Sequence, residues 1–348
     1  MFIHILFFIV SVYFVNSIPF RFDRFFSLLI ILFNSLFLFL IIENITIPES
    51  FIKRCRSIIL VLIPTAAIVS IIQYFYPLFF IYVDKYTGVD AELEGYARRI
   101  LSIFTWGDLI NSQYMSIGFI ALYGIMLYEF KSMRNILIII VLSAGIVVFL
   151  SQYRVAMLTY LITSVFLLFK KLSLKTVFSV AVIIVLFNFL LSYLHFNLNY
   201  FIEERLQSDS ALTRIDAFSA FFHAFPESPF FGTGGLRTDA LFEGLGRTGR
   251  LHNAYLATAY YYGAFALIAY GLTIIFLLRK TYLTGKRADY WPPFVGMLCF
   301  VVAIATMPSG SFFLPGIVFM LIFNKYYYDR YLISVSRNAS KHKTIDNQ

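Results

Sequence analysis

The sequence predicts an all-α, polytopic integral membrane protein with about ten transmembrane helices and one large extramembrane loop that contains short helices. Of its 348 residues, 60% are apolar and only 14% are charged, whereas about a quarter of the residues of a soluble domain are charged. So little polar surface cannot cover a water-soluble globule. The apolar residues also form runs long enough to cross a hydrocarbon core, which takes about 20 residues. The bilayer is therefore the expected solvent for most of the chain.

We predict ten spans, at residues 1–18, 25–45, 57–80, 109–128, 135–151, 153–169, 174–195, 253–278, 291–308 and 311–327. The first run lacks a positively charged start and a small-residue cleavage site, so it is expected to be a retained span. The spans divide the chain into four parts: transmembrane helices 1 to 7 with a smaller outer segment at 84–108 (1–195), the large loop (196–252), transmembrane helices 8 to 10 (253–327) and a tail (328–348).

The connections between the spans predict the orientation. Their basic residues fall on one side, at Lys53, Arg54, Arg56, Lys131, Arg134, Lys170, Lys171, Lys175, Arg279, Lys280, Lys286, Arg287 and in the tail. Short basic connections stay in the cytoplasm, so both termini and a charged loop around Cys55 are expected inside, and the large loop outside. Because the basic residues are spread among connections, the net charge of +9 does not indicate nucleic-acid binding. Cys55 and Cys299 have no paired spacing that would predict a disulfide framework or a metal site.

Arginine dominates the cations on the predicted outer side, where Lys85 is the one lysine: Arg21, Arg24, Arg98, Arg99, Arg154, Arg205, Arg214, Arg237, Arg247 and Arg250. Orientation requires only positive charge, which lysine supplies equally well. A preference for the planar guanidinium fork therefore indicates two-point binding of phosphate or carboxylate. The alternative is that roughly half of these arginines pair with acidic residues of the same loop.

The middle of the large loop predicts a short helix over residues 210–225. Ser210 is a plausible N-cap, Pro226 and Pro229 end the helix, and one face carries Leu212, Ile215, Phe218, Phe222 and Phe225. We expect the helix to lie along the membrane surface with its aromatic side chains toward the bilayer and Arg214 near the headgroups. The glycine-rich stretch that follows, 231–235, predicts a plain turn more than an amide cradle for an anion.

The end of the large loop carries the candidate base. Asn253 is a good N-cap for the next span, which puts His252 at the mouth of that helix. The helix dipole disfavours imidazolium there, so a neutral ring can accept a proton from a hydroxyl. The alternative is a histidine that anchors the membrane interface. Arg154 stands between two apolar runs, where a charge indicates function by default, and snorkelling to the headgroups is the competing explanation.

These residues together resemble the O-antigen polymerase and ligase superfamily over roughly residues 95–275. The similar motifs follow one another in the same order: Arg98 or Arg99 with a following Phe and Asn111, Ser-Gln-Tyr-Arg154, a helix containing Arg214, Pro229-Phe-Phe-Gly-Thr-Gly, and His252-Asn253-Ala-Tyr-Leu leading into a span with Gly263 near its start. Tyr153 stands where a second Ser is common in the family.

The resemblance implies a metal-independent membrane glycosyltransferase without a cofactor, working at the periplasmic face of a bacterial inner membrane. Its donor would be an oligosaccharide linked to undecaprenyl diphosphate, and membrane lipid and a chain-length regulator are further candidate partners. Arg154 and Arg214, assisted by Arg98 or Arg99, would hold the diphosphate. His252 would activate the acceptor hydroxyl, and Asn253 would fix the junction of loop and helix. Arg237, Arg247 and Arg250 are additional candidates.

Three functions remain open at this point. A polymerase would extend the glycan on the next lipid-linked repeat unit, and the sister ligase would move the finished chain onto lipid A–core. Ligases often carry a richer histidine motif before the Asn, and only Leu251 precedes His252 here, which favours the polymerase. A transporter of lipid-linked sugars should place polar or broken-helix elements near the bilayer midplane, but the polar residues gather in the outer loop instead.

Overall fold

A computed structural model of the chain describes residues 40–75, 118–151, 154–168, 218–230, 232, 253–305 and 315–345. Its longer helices are α1 (Glu49–Phe75), α2 (Ile120–Glu129), α3 (Arg134–Ser151), α4 (Arg154–Leu168), α5 (Ala254–Ala288), α6 (Pro292–Ile304) and α7 (Pro315–Ile345). No strand occurs among the described residues, so the all-α prediction is confirmed for them. The predicted spans 1–18 and 174–195 lie outside these residues, and the count of ten spans stays a prediction.

Three of the described helices, α1, α3 and α5, are long and apolar enough to cross a membrane. Shorter apolar helices are α2, α6 and residues Val155–Leu168 of α4. Many of their large side chains, such as Ile58, Leu142 and Ile275, are more than half exposed. A soluble protein rarely leaves so many apolar side chains along its helices in water. This surface is typical of a multi-pass membrane protein.

The first described helix corrects one sequence prediction. The residues around Cys55 were expected to form a charged loop before a span at 57–80, but α1 already begins at Glu49 and Cys55 is buried within it. Lysine and arginine are good helix formers, and Lys53 pairs with Glu49 one turn earlier at 3.1 Å. The charges therefore mark the end of the apolar run without interrupting the helix.

The helices α5 and α7 extend past their predicted spans for the same reason. The apolar run of α5 was expected to end at residue 278, but the helix continues to Ala288. The helix α7 continues through the predicted tail as far as Ile345, with Lys325 and Asp329 paired one turn apart at 2.6 Å. Hydropathy measures the apolar part of a helix, whereas backbone hydrogen bonding continues wherever the residues favour it.

One end of the bundle carries the basic side chains of several helices, and we call it the basic end. Its centre is formed by Arg56, Glu129, Tyr290 and Tyr327. A guanidinium nitrogen of Arg56 lies 3.1 Å from a carboxylate oxygen of Glu129, and the Tyr327 hydroxyl donates to the same carboxylate at 2.7 Å. The Tyr290 ring stacks on Tyr327 with centroids 3.7 Å apart. Burial, and then the charge of Glu129, raise the pKa of Tyr290 well above its ordinary value. These contacts join α1, α2, α7 and the α5–α6 connection.

Further contacts bring other parts of the chain to the basic end. Lys280 of α5 pairs with Glu43, and the Tyr128 hydroxyl donates to the carbonyl of Asp289. The prediction that the basic connections share one side of the bundle is therefore confirmed for those that the structure describes. That this side is cytoplasmic stays a prediction.

The opposite end of the bundle receives the described part of the large loop, residues 218–230 and 232, and we call it the loop end. At the basic end, the last turns of α4 lie beside the first residues of α6, with the Phe166 and Trp291 rings 6.1 Å apart. The first turn of α5 lies beside the last turn of α6, because the Tyr255 hydroxyl donates to the carbonyl of Val301 at 3.2 Å. The antiparallel arrangement puts the start of α4, at Arg154, and the start of α5 at the same end.

Candidate functional site

The helix α5 is interrupted at Gly263, close to the loop end. Gly263 has φ 81° and ψ 176°, a backbone region that is essentially restricted to glycine. The interruption divides α5 into a short segment, 254–262, and a long one, 264–288. The amide of Ala264, which loses its helical acceptor at the break, donates to the carbonyl of Pro229 at 2.7 Å. A carbonyl of the large loop therefore accepts the backbone hydrogen bond for which the helix provides no acceptor.

Gly232 lets the loop approach this break closely. Its φ is +69°, and a Cβ at this position would lie 2.5 Å from backbone atoms of Tyr261 and Tyr262. The Gly232 amide donates to the carbonyl of Ser228 at 3.0 Å, and the Ser228 hydroxyl donates back to the Gly232 carbonyl at 2.8 Å. The amide of Gly232 is thus occupied by Ser228, while residues 231 and 233–235 lie outside the described residues, so the plain turn stays a prediction.

The short helix of the loop packs on the first segment of α5. Residues 218–224 are α-helical, one residue short of the predicted end at 225, and continue into a 3₁₀ turn, Phe225–Glu227, that contains Pro226. The first part of the predicted helix, 210–217, lies outside the described residues. Phe221 is buried against Ala257 and Tyr260, and its ring stacks on Phe225 with centroids 5.1 Å apart.

The predicted membrane face of this helix is partly wrong. Phe225 was expected to face the bilayer with Phe218 and Phe222, but it packs with Phe221 toward α5. Phe218 and Phe222 are 44% and 65% exposed, as a lipid-facing pair would be. The helix has apolar residues on two sides, so the prediction of a single apolar face did not include Phe221. The unbroken Phe221-Phe222 pair was the available signal, since two adjacent large rings cannot share one face of a helix.

Asn253 caps α5, as the sequence predicted. Its side-chain oxygen accepts hydrogen bonds from the amides of Tyr255 and Leu256 at 3.0 and 3.1 Å, and its backbone is extended with φ −152° and ψ 113°. The cap satisfies two of the amides that a helix start leaves without partners. The chain therefore enters α5 at a fixed angle directly after His252.

The structure describes the backbone of one predicted diphosphate ligand, Arg154, which is the first residue of α4 at the loop end. The other predicted site residues lie outside the described parts of the chain: Arg98, Arg99, Arg214, Arg237, Arg247, Arg250 and His252. His223, a further histidine of the loop, is exposed on the short helix. The roles assigned to all these residues, and to Asn253 beyond its cap, stay predictions.

Comparison with known proteins bears on the region just described. Residues 137–271 match the family described as O-Antigen ligase. This confirms the resemblance to the O-antigen polymerase and ligase superfamily. The matched region begins in α3, includes Arg154 and the whole large loop, and ends in α5 beyond Gly263. It supports a function of the O-antigen ligase or polymerase type and does not separate the two. No curated protein and no solved structure gives a significant match to the chain.

Proposed function

We propose that the protein is an O-antigen polymerase. It transfers a growing glycan from undecaprenyl diphosphate to the non-reducing end of the next lipid-linked repeat unit, at the periplasmic face of the bacterial inner membrane, with both termini in the cytoplasm. The family match over residues 137–271 carries the glycan-transfer part of the proposal, since it supports a function of the ligase or polymerase type. The proposal is supported by the bundle, since α4 and α5 begin at the same end as the docked loop.

The proposed chemistry is a displacement at the anomeric carbon of the donor. An acceptor hydroxyl oxygen forms the new bond to this carbon while its proton passes to His252. The bond from the carbon to the diphosphate oxygen breaks, and the diphosphate leaves with the electron pair. Arg154 and Arg214, with Arg98 or Arg99, neutralise the leaving group, because paired guanidinium donors fit phosphate oxygens at two points.

A transfer of this kind requires the base and the cations to be held in one geometry, since small displacements of a catalytic group can cost about 100-fold in rate. The described residues supply such a support. Asn253 fixes the start of α5, Phe221 packs the short helix of the loop on it, and Pro229 closes the break at Gly263. The described part of the large loop is thereby attached to α5 through Phe221 and Pro229.

The ligase is the second candidate, because the family match does not separate it from the polymerase. Both enzymes would release the same diphospholipid, so the same arginines and histidine would serve either one. The two differ in the acceptor, which is a lipid-linked repeat unit for the polymerase and lipid A–core for the ligase. Leu251, in place of a further histidine before His252, is the sequence feature that favours the polymerase.

A transporter is less well supported. Transporters of lipid-linked substrates are expected to use broken helices whose free backbone groups bind the substrate near the bilayer midplane. At the interruption of α5, the amide of Ala264 is already bonded to the carbonyl of Pro229 of the loop.

Deletion of the gene, followed by gel analysis of the surface polysaccharide, tests the proposal. Loss of the polymerase should leave core carrying one repeat unit, whereas loss of the ligase should leave bare core. Expression of the intact chain from a plasmid is the control and should restore long chains. Long chains of unchanged length in the deletion strain would refute both functions.

A further inference from the structure

A cavity of about 330 Å³ opens between α5 and α7 at the basic end, on the side of the molecule away from the proposed catalytic loop. Its lining combines two cations, two hydroxyl groups and two apolar side chains: Arg279, Lys280, Thr284, Tyr328, Phe276 and Leu283. This volume is within the range of small-ligand sites, and the combination of groups is suited to an amphipathic anion.

The cavity has an excess of positive charge. Lys280 is paired with Glu43, but Arg279 is exposed and has no ion-pair partner among the described residues. A third cation reaches the rim, because Arg287 donates to the Tyr328 hydroxyl at 3.0 Å. Among the described residues, Arg279 is thus the lining cation without an ion-pair partner. An anion with several acceptor oxygens would satisfy its guanidinium donors.

An exposed apolar stripe leads from the cavity along α5 toward the middle of the bundle. Ile268, Leu272 and Phe276 follow one another at intervals of four residues and are 57%, 59% and 57% exposed. Residues spaced in this way lie on one face of a helix, and Arg279 continues the same face at the basic end. The exposed Arg279 at the end of the stripe corresponds to the headgroup contact of one lipid molecule, and the lipid-facing stripe corresponds to its acyl chain.

We propose that this cavity binds the phosphate group of an anionic phospholipid. Arg279 contacts the phosphate, Lys280 and the hydroxyls of Thr284 and Tyr328 line its surroundings, and an acyl chain lies along the stripe that ends at Phe276. Basic pockets between helices on the cytoplasmic side of a membrane are suited to anionic headgroups. The stripe is what favours a lipid over a free phosphate, which would need no apolar surface.

The test uses the whole chain purified in detergent and measures bound phosphatidylglycerol by native mass spectrometry. Arg279→Gln should weaken this binding about fivefold, since it removes one cation from the headgroup site. Arg54→Gln is the matched control, because Arg54 is an exposed arginine at the basic end on α1, away from the cavity. It should bind phosphatidylglycerol like the wild type. Equal weakening in both variants, or in neither, would overturn the proposal.

Two further ligands separate the possible sources of the phosphate. Phosphatidylcholine, whose headgroup carries no net charge, should bind more weakly than phosphatidylglycerol, and Arg279→Gln should abolish the difference. Inorganic phosphate at millimolar concentration should not displace the lipid. Equal binding of both lipids to the wild type, or displacement by inorganic phosphate, would show that the site does not select an anionic lipid. Neither measurement involves glycan transfer, so the result is independent of the proposed function.

Discussion

Gly232 of the large loop lies directly against Gly263, the residue at which α5 is interrupted. A Cβ on Gly232 would come 2.6 Å from the backbone nitrogen of Gly263, closer than a carbon atom can approach without displacing the chain. The adjacent hydrogen bond from Ala264 to Pro229 uses the amide that the break releases. The loop and the first segment of α5 therefore form one packed unit, which any chemistry at the loop end would depend on.

Replacing Gly232 by Ala should separate the loop from α5. A left-handed φ and the clash with backbone atoms together should cost about 2 kcal/mol or more, so the melting temperature in detergent and glycan chain length should both fall. Gly271→Ala is the matched control, because a Cβ there meets nothing within 4 Å and Ala favours a helix. A Gly232→Ala protein as stable and as active as Gly271→Ala would rule out the close approach.

Asn253 should be replaceable by another capping residue and not by Ala. Asn253→Ala removes the acceptor for two amides and should destabilise the protein by about 1 kcal/mol, whereas Asn253→Ser keeps an oxygen at the cap and should lose much less. Thermal denaturation in detergent measures the difference, and gel analysis of the polysaccharide measures its effect on activity. If the two variants were equally stable, the cap would contribute nothing.

The half-buried pair of Arg56 and Glu129 should contribute more to stability than the exposed pair of Lys53 and Glu49. Their side chains are 27% and 11% exposed, against 67% and 53% for the second pair. Arg56→Gln leaves the carboxylate without its cation and should cost about 2 kcal/mol, seen as a lower melting temperature. Lys53→Gln should leave that temperature unchanged, because water solvates both groups.

The double variant Arg56→Gln/Glu129→Gln should recover part of the stability lost in Arg56→Gln, since no charge is then left unpaired. Additive losses in the double variant would contradict the pairing.

Arg154→Lys distinguishes a phosphate ligand from a snorkelling cation. If Arg154 holds the diphosphate at two points, a point charge cannot replace it, and chain extension should fall strongly while the protein still inserts. A residue that only reaches for headgroups should tolerate lysine. Arg134→Lys is the control, because Arg134 begins α3 at the basic end. Wild-type chain lengths in Arg154→Lys would remove this residue from the site.

The sequence predicts the membrane class, the helical fold and the basic side of the bundle. These features depend on apolar runs and on the positions of charges, which can be identified residue by residue. The extension of α1 to Glu49 and of α7 to Ile345 could not be read in this way, because helix-forming charged residues continue a helix outside the apolar run. The cap at Asn253 was predictable, since capping is local. The docking of Phe221 and the break at Gly263 depend on contacts between segments distant in the chain. The adjacent Phe221-Phe222 pair indicates that one ring leaves the predicted face, but no local pattern gives its partner on α5.

The central claim is that His252 accepts the proton of the attacking hydroxyl in a glycan transfer at the loop end. The most direct measurement is gel analysis of surface polysaccharide from cells in which His252→Ala replaces the wild type, with membrane insertion checked by immunoblot. His223→Ala is the matched control, because this exposed histidine lies in the same loop. We expect His252→Ala to insert normally and make no long chains, and His223→Ala to make chains of normal length. Long chains from cells carrying His252→Ala would contradict the claim.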